Sequence, residues 1–165
     1  MTNLYIFACD IGNAYLNAPC WEKLCTKSGS EFGSKRGYVL LAVIALYVPK
    51  LSGAGWIAKL TKTHNSMGYR YTEYEPEVWI IRATIESGTA YYKYMLVYVD
   101  DVLHLAKDTQ AYMLILNQVY RLKEGFGTQY RYLGANVDKV QSEDGITVWS
   151  MTCIGYICGD IKNVD

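Results

Sequence analysis

Hydrophobic positions along this chain switch between the two-residue period of strands and the 3.6-residue period of helices. Leu4 to Cys9 is a short apolar run with β-branched and aromatic members, ending at Asp10, and it predicts a buried strand. Gly12 and Asn13 break it, and a short helical segment over Asn13 to Asn17 precedes Pro19. Trp21 to Lys27 predicts a strand, and the Gly- and Ser-rich stretch Ser28 to Gly37 a loop. Tyr38 to Val48 is a second apolar, strand-prone stretch stopped by Pro49. Beyond it, apolar residues at Ala54, Ile57, Ala58 and Leu60 recur at helical spacing. They predict an amphipathic helix from Ser52 to Met67, with Ser52 as N-cap and Gly68 as its end.

Val78 to Ile85 predicts a strand, followed by a Ser87-Gly88 turn. Tyr91 to Val99 and Val102 to Ala106 are both strand-like and only Asp100-Asp101 separates them. The segment predicts a β-hairpin with two carboxylates at its tip. Met113, Leu116, Val119 and Tyr120 give Thr109 to Glu124 a helical period that ends near Gly125 and Gly127. Tyr130 to Val140 returns to strand, and Thr152 to Lys162 closes as a helix or a frayed tail. The order β, α, β, α, β-hairpin, α, β predicts an α+β domain, a mostly antiparallel sheet packed on helices.

Composition narrows this picture. At 165 residues, 51% hydrophobic and 19% charged, the chain can bury the core of one ordinary domain, and neither a repeat nor a linker divides it. Sixteen basic residues balance sixteen acidic ones, so charge alone gives no argument for nucleic acid. The sixteen tyrosines suit half-buried strands first and base stacking second. Five cysteines without a C-x-x-C pair predict reduced thiols in an intracellular compartment, cytoplasmic or nuclear. Zinc is not expected, because His64 and His104 have no ligand-spaced neighbours. The apolar run Tyr38 to Val48 is too short to span a bilayer, and no membrane association is expected.

Candidate chemistry lies in the carboxylates. Short hairpins prefer Asn-Gly or Asp-Gly, so Asp100-Asp101 brings two like charges together without that backbone ease. A solvated acidic turn is one account of them. Asp10 supplies another, because a carboxylate ending a buried strand is costly unless paired or bound to metal. If the first strand lies beside the hairpin, three carboxylates meet at one sheet end. They would form an oxygen cluster of the kind that holds two Mg²⁺ ions for phosphoryl or nucleotidyl transfer.

These residues also resemble a family. Tyr98-Val99-Asp100-Asp101, within Tyr94 to Leu103, is similar to the YVDD box of reverse transcriptases. Asp10 to Ala18 resembles the first motif of the copia-type retrotransposon branch. Ala45-Leu46-Tyr47 with Lys50 and Ser52 to Trp56 resembles its next segment, and Met67 to Tyr69, Pro76 and Val78-Trp79 the one after. Arg131 to Gly134 is similar to the strand that supports the primer end. The motifs fall in order over residues 3 to 140. Departures are Val48-Pro49 where Gly-Leu is usual, Ile44 at a commonly basic position, and Glu75 and Glu77 where Asp is usual.

The resemblance implies a reverse-transcriptase palm over residues 1–140, with 141–165 as a C-terminal extension. It implies RNA-directed DNA polymerase activity on a template-primer and a deoxynucleoside triphosphate with two Mg²⁺ or Mn²⁺ ions. Asp10, Asp100 and Asp101 would be the catalytic, metal-holding carboxylates, with the carbonyl of Ile11 as a further ligand. Tyr15, Lys50, Gly53 and Lys123 would line the nucleotide site, Tyr15 beneath the sugar and Lys123 near the pyrophosphate. Tyr132, Leu133 and Gly134 would bind the primer. Basic fingers strands upstream and thumb and ribonuclease H regions downstream are implied too, so the chain is expected to be a piece of a larger polyprotein. The competing expectation is a degenerate or domesticated relic that binds nucleic acid or protein without catalysis.

Overall fold

A computed structural model of the chain describes residues 4–45, 52–123, 131–155 and 158. Along the chain run β1 (Tyr5–Asp10), β2 (Cys25–Lys27), β3 (Val39–Leu41), α1 (Ser52–Ser66), β4 (Arg70–Tyr71), β5 (Val78–Thr84) and β6 (Ala90–Tyr98). There follow β7 (Asp101–Ala106), α2 (Gln110–Val119), β8 (Arg131–Tyr132), β9 (Ala135–Gln141) and β10 (Thr147–Thr152). The architecture is α+β with mostly antiparallel sheets, as the periodicity predicts. The chain separates into two compact units, Asn13–Gly68 and Met1–Gly12 with Tyr69–Asp165. Among the described residues no helix is long and apolar enough to cross a membrane.

The larger unit is built on an antiparallel sheet of order β1-β7-β6-β5-β4. Its strand β7 is buried on both faces, because Val102, Leu103, His104 and Ala106 are all withdrawn from solvent. On one face His104 stacks on Tyr112 of α2, ring centroids 4.3 Å apart, and its Nε2 lies 2.6 Å from the Tyr69 hydroxyl. Asp108 starts that helix, its carboxylate accepting the amides of Gln110 and Ala111 at 3.1 and 3.3 Å. On the other face Ile6, Ala8 and Leu103 pack with Tyr132 and Val137. These last two come from a second antiparallel sheet, β10-β9-β8. The Trp149 indole of that sheet donates to the Leu4 carbonyl at 3.0 Å.

Burying each such side chain contributes roughly 1.5–3 kcal/mol, which fixes the register of β1 on β7. A slip of one residue would turn Ile6 and Ala8 out of this core, and Asp10 with them, since side chains alternate between faces.

Several boundaries differ from expectation. The segment predicted as one strand over Tyr130 to Val140 is a hairpin from Arg131 onward, with Leu133 (φ 50°) and Gly134 (φ 76°) as its two-residue turn. Both turn residues are left-handed, as a tight primed turn requires. Thr147–Thr152, for which the sequence pattern predicts no element before Thr152, forms β10 because it pairs along the length of β9. The helix α2 stops at Val119, and Leu122 turns back to bridge Ile11.

In the smaller unit, a 3₁₀ helix spans Ala14–Asn17, and β2 pairs with β3 around a second one, Ser30–Lys35, where a loop is expected. The Ser28 hydroxyl holds that loop shut by donating to the carbonyls of Lys35 and Tyr38. The strands predicted over Trp21 to Lys27 and from Tyr38 are shorter than expected, at three residues each. The expected end of the second at Val48 lies outside the described residues. Helix α1 buries Ser52, Trp56, Leu60 and His64 on one ridge, and Ile57, expected on the apolar face, is 61% exposed. Trp56, itself expected on the apolar face, is the largest apolar side chain of the helix, and its burial sets the rotation. Ser52, expected as N-cap, lies within the helix, and Gly68 (φ 86°) ends it.

Candidate active site

The Asp10 and Asp101 positions are cross-strand partners, the last of β1 and the first of β7. The hairpin tip is therefore Val99-Asp100, and Asp101 sits in the ladder where a place at the tip is expected, opposite both Asp10 and Tyr98. Directly opposed residues of an antiparallel pair have Cβ atoms about 4.5–5.5 Å apart on one face. The three carboxylates thus share one sheet edge, as the buried-strand reading of Asp10 anticipates.

The backbone around them is pinned. The Ile11 amide donates to the Asp100 carbonyl at 2.8 Å, tying the turn to the end of β1. Val99 is held at φ 51°, a left-handed conformation that a β-branched residue rarely adopts. Such strain costs about 1–3 kcal/mol and persists where surrounding contacts dictate it, commonly at functional sites.

Electrostatics there are adverse. Burial raises the Asp101 pKa above its ordinary value, the charges of Asp10 and Asp100 raise it further, and Lys123 partly opposes them. Burial, together with Asp10 and Asp101, pushes the adjacent Cys9 thiol up to about 12, so it is not a nucleophile. Burial and the charges of Asp101 and Glu77 likewise push Tyr132 up to about 12.

Among the described residues Lys123 answers these charges. The Lys123 Nζ donates to Asp10 Oδ2 at 2.8 Å and lies 3.5 Å from Asp100 Oδ2. Its strong hydrogen bond to Asp10 raises its own pKa. Lys123 arrives through the Ile11–Leu122 bridge, in which Gly12 donates to the Arg121 carbonyl and Lys123 donates to the Asp10 carbonyl, each at 2.8 Å. Expected near a pyrophosphate, Lys123 is placed directly on the carboxylates. Nothing in the sequence signals that contact, because 113 positions separate the partners.

Gly12 makes the bridge possible. A Cβ there would stand 3.0 Å from the Arg121 carbonyl oxygen and 3.5 Å from Lys123 Cγ. Gly12→Ala is expected to destabilise the chain by about 1 kcal/mol, because backbone must give way, and to speed hydrogen exchange at the Lys123 amide. Unchanged exchange there would show that the bridge does not depend on the missing side chain.

The donor set suits a hard cation. All three side chains offer oxygen, and Asp10 Oδ1 is buried with no hydrogen-bond partner among the described residues. Among the described residues no three His, Cys, Asp or Glu side chains already enclose a metal-sized point, so the carboxylates share an edge without forming a closed cage.

The other expected site residues are distributed over both units. Tyr15, in the 3₁₀ helix, and Gly53, in α1, meet in the smaller unit, where a Cβ on Gly53 would lie 3.9 Å from the Tyr15 ring. Lys50 lies outside the described residues. Tyr132 is buried under β1 and β7, whereas Leu133 is 44% exposed in the turn beside Gly134. No known protein family matches the chain, and no curated protein matches it at a significant level.

Proposed function

We propose that this chain is the palm portion of a copia-type reverse transcriptase, an RNA-directed DNA polymerase core. The observation that carries the reading is the register that sets Asp10 opposite Asp101, with Asp100 in the turn between β6 and β7. The ordered motifs around it support the same reading. When bound, two Mg²⁺ or Mn²⁺ ions supply charge neutralisation and a more acidic primer 3′-hydroxyl. Asp10, Asp100 and Asp101 hold that charge in place, and the strained Val99 turn fixes the direction in which Asp100 is presented. Tyr15 and Gly53 take the nucleotide, together with Lys50, and the Leu133-Gly134 turn meets the primer strand. Ile11 contributes backbone at the carboxylate edge.

The test is primer extension on an RNA template with Mg²⁺, using the chain alone and joined to fingers and thumb segments of a related polymerase. Extension in the joined protein, lost in Asp100→Asn, is expected. Failure of the folded wild-type chain to bind any divalent ion would count decisively against the reading.

A specific feature favours a second reading, a non-catalytic nucleic-acid binder. Tyr92, Tyr94 and Tyr98 alternate along one face of β6 and are all exposed. Arg82 lies directly opposite Tyr92, and exposed Arg70 lies opposite Ile80 on the same face. Aromatic rings and guanidinium groups on a sheet face suit single strands, by stacking and by phosphate contact. Salt-sensitive binding of single-stranded RNA that survives loss of all three Asp residues would select this reading.

A further inference from the structure

The contact between Lys123 and two acidic side chains does more than neutralise an edge. The ammonium reaches Asp10 Oδ2 and Asp100 Oδ2 together, at 2.8 and 3.5 Å. A divalent ion at this edge would draw on the same two carboxylates. The lysine is delivered by backbone pairing on both sides of Ile11, so its presence is built into the fold rather than a chance of the surface. Its side chain is nevertheless 48% exposed, on a flexible four-carbon stem. A half-exposed ion pair is weak, and such a side chain swings into water easily.

We propose that Lys123 is the resident cation of this carboxylate edge, and that a divalent ion enters only as its ammonium leaves. The divalent half rests on the polymerase reading, and the resident-cation half stands on the ion pairs alone. Without the ammonium, Asp10 and Asp101 face each other across the ladder with Asp100 beside them, and like charges so placed repel. With it, that repulsion is partly offset before any ion arrives. The same contact sets a threshold, since an ion must compete with a tethered positive charge for the same acceptors. A divalent ion wins where a monovalent one does not, because its charge is doubled and it takes several oxygens at once.

Lys123→Met keeps the stem and removes the charge. In chelator, its thermal midpoint is expected to fall by several degrees, while Lys123→Arg stays near wild type. By calorimetry with MnCl₂, Lys123→Met is expected to bind about fivefold to tenfold more tightly than wild type, a competitor having been removed. Mn²⁺ affinity that is unchanged or weaker in Lys123→Met overturns this proposal and leaves the polymerase reading standing. A wild type and a variant that both ignore Mn²⁺ overturn the competition together with that reading. Should Lys123→Met fail to fold in chelator, folding restored by Mn²⁺ but not by NaCl supports the proposal. Failure in both overturns it.

Discussion

Asp101→Asn is expected to stabilise the chain in chelator and to abolish its response to divalent ions. Asp101 lies opposite Asp10 and next to Asp100. Burial raises its pKa first, and the two neighbouring charges raise it further. A carboxylate whose folded pKa is raised favours the fold fully below its ordinary range and loses that contribution as pH rises through the folded value. At neutral pH the charged form is therefore a burden. Directly opposed like charges cost up to about 1 kcal/mol, and the amide removes that cost. On the polymerase reading, the same change replaces a charged ligand oxygen by a neutral amide, with a loss of affinity on the order of a hundredfold. Wild type at an ion concentration of about one hundred times its Kd gains about 2.7 kcal/mol from binding, which the variant forfeits. The two proteins should exchange rank: Asp101→Asn melts higher in chelator, wild type higher in excess Mg²⁺. Scanning calorimetry under both conditions decides it. A wild type indifferent to Mg²⁺, paired with a variant that melts lower, would refute both halves.

Mild acid is expected to destabilise the smaller unit through His64. This imidazole is fully buried in the last turn of α1, and burial pushes its pKa down to about 4 from an ordinary 6.5. Two effects oppose each other there. A helix C-terminus favours the imidazolium by about 0.3–1 kcal/mol, up to ~2 in sheltered positions. Desolvation acts the other way and prevails. A depressed pKa means stability present above the unfolded value and lost as pH falls through the folded one. Between pH 6.5 and 4 the unfolded chain takes up a proton that the folded chain refuses. The loss integrates to about 3 kcal/mol by the bottom of the window. His64→Gln cannot titrate, so its unfolding free energy should stay flat where wild type falls. Urea titrations at a series of pH values give the difference between the two, free of the carboxylates they share. Parallel profiles would mean that burial does not depress the His64 pKa in the fold.

Strain and repulsion at the carboxylate edge belong together. Val99 is left-handed without being glycine, and Asp101 opposes Asp10 directly across the ladder. Glycine at 99 and an amide at 101 would each make a more stable protein. Residues that break local rules at one place, with the rest of the sheet locally consistent, are a common feature of sites where function outweighs stability.

What the sequence determined alone follows from short-range physics. The β6–β7 hairpin was legible because apolar, β-branched and aromatic runs can be read within ten residues. So was a helix stopped by Gly68, whose positive φ suits glycine. Asp10 stood out because an ionised side chain closing a buried strand needs a partner wherever that strand goes. What remained hidden depends on residues far apart in the chain. Only the register of β1 on β7, fixed by Ile6, Ala8 and Leu103, puts Asp101 opposite Asp10 rather than at the tip. Only the packing of α1 leaves Ile57 outward, the helix having rotated to cover Trp56, its largest apolar side chain. Only the Ile11–Leu122 bridge brings Lys123 onto Asp10, 113 positions earlier in the chain. Periodicity reports which face a residue prefers. Which charges meet on that face is decided by packing, because Coulomb interaction acts through space and carries no trace along the sequence.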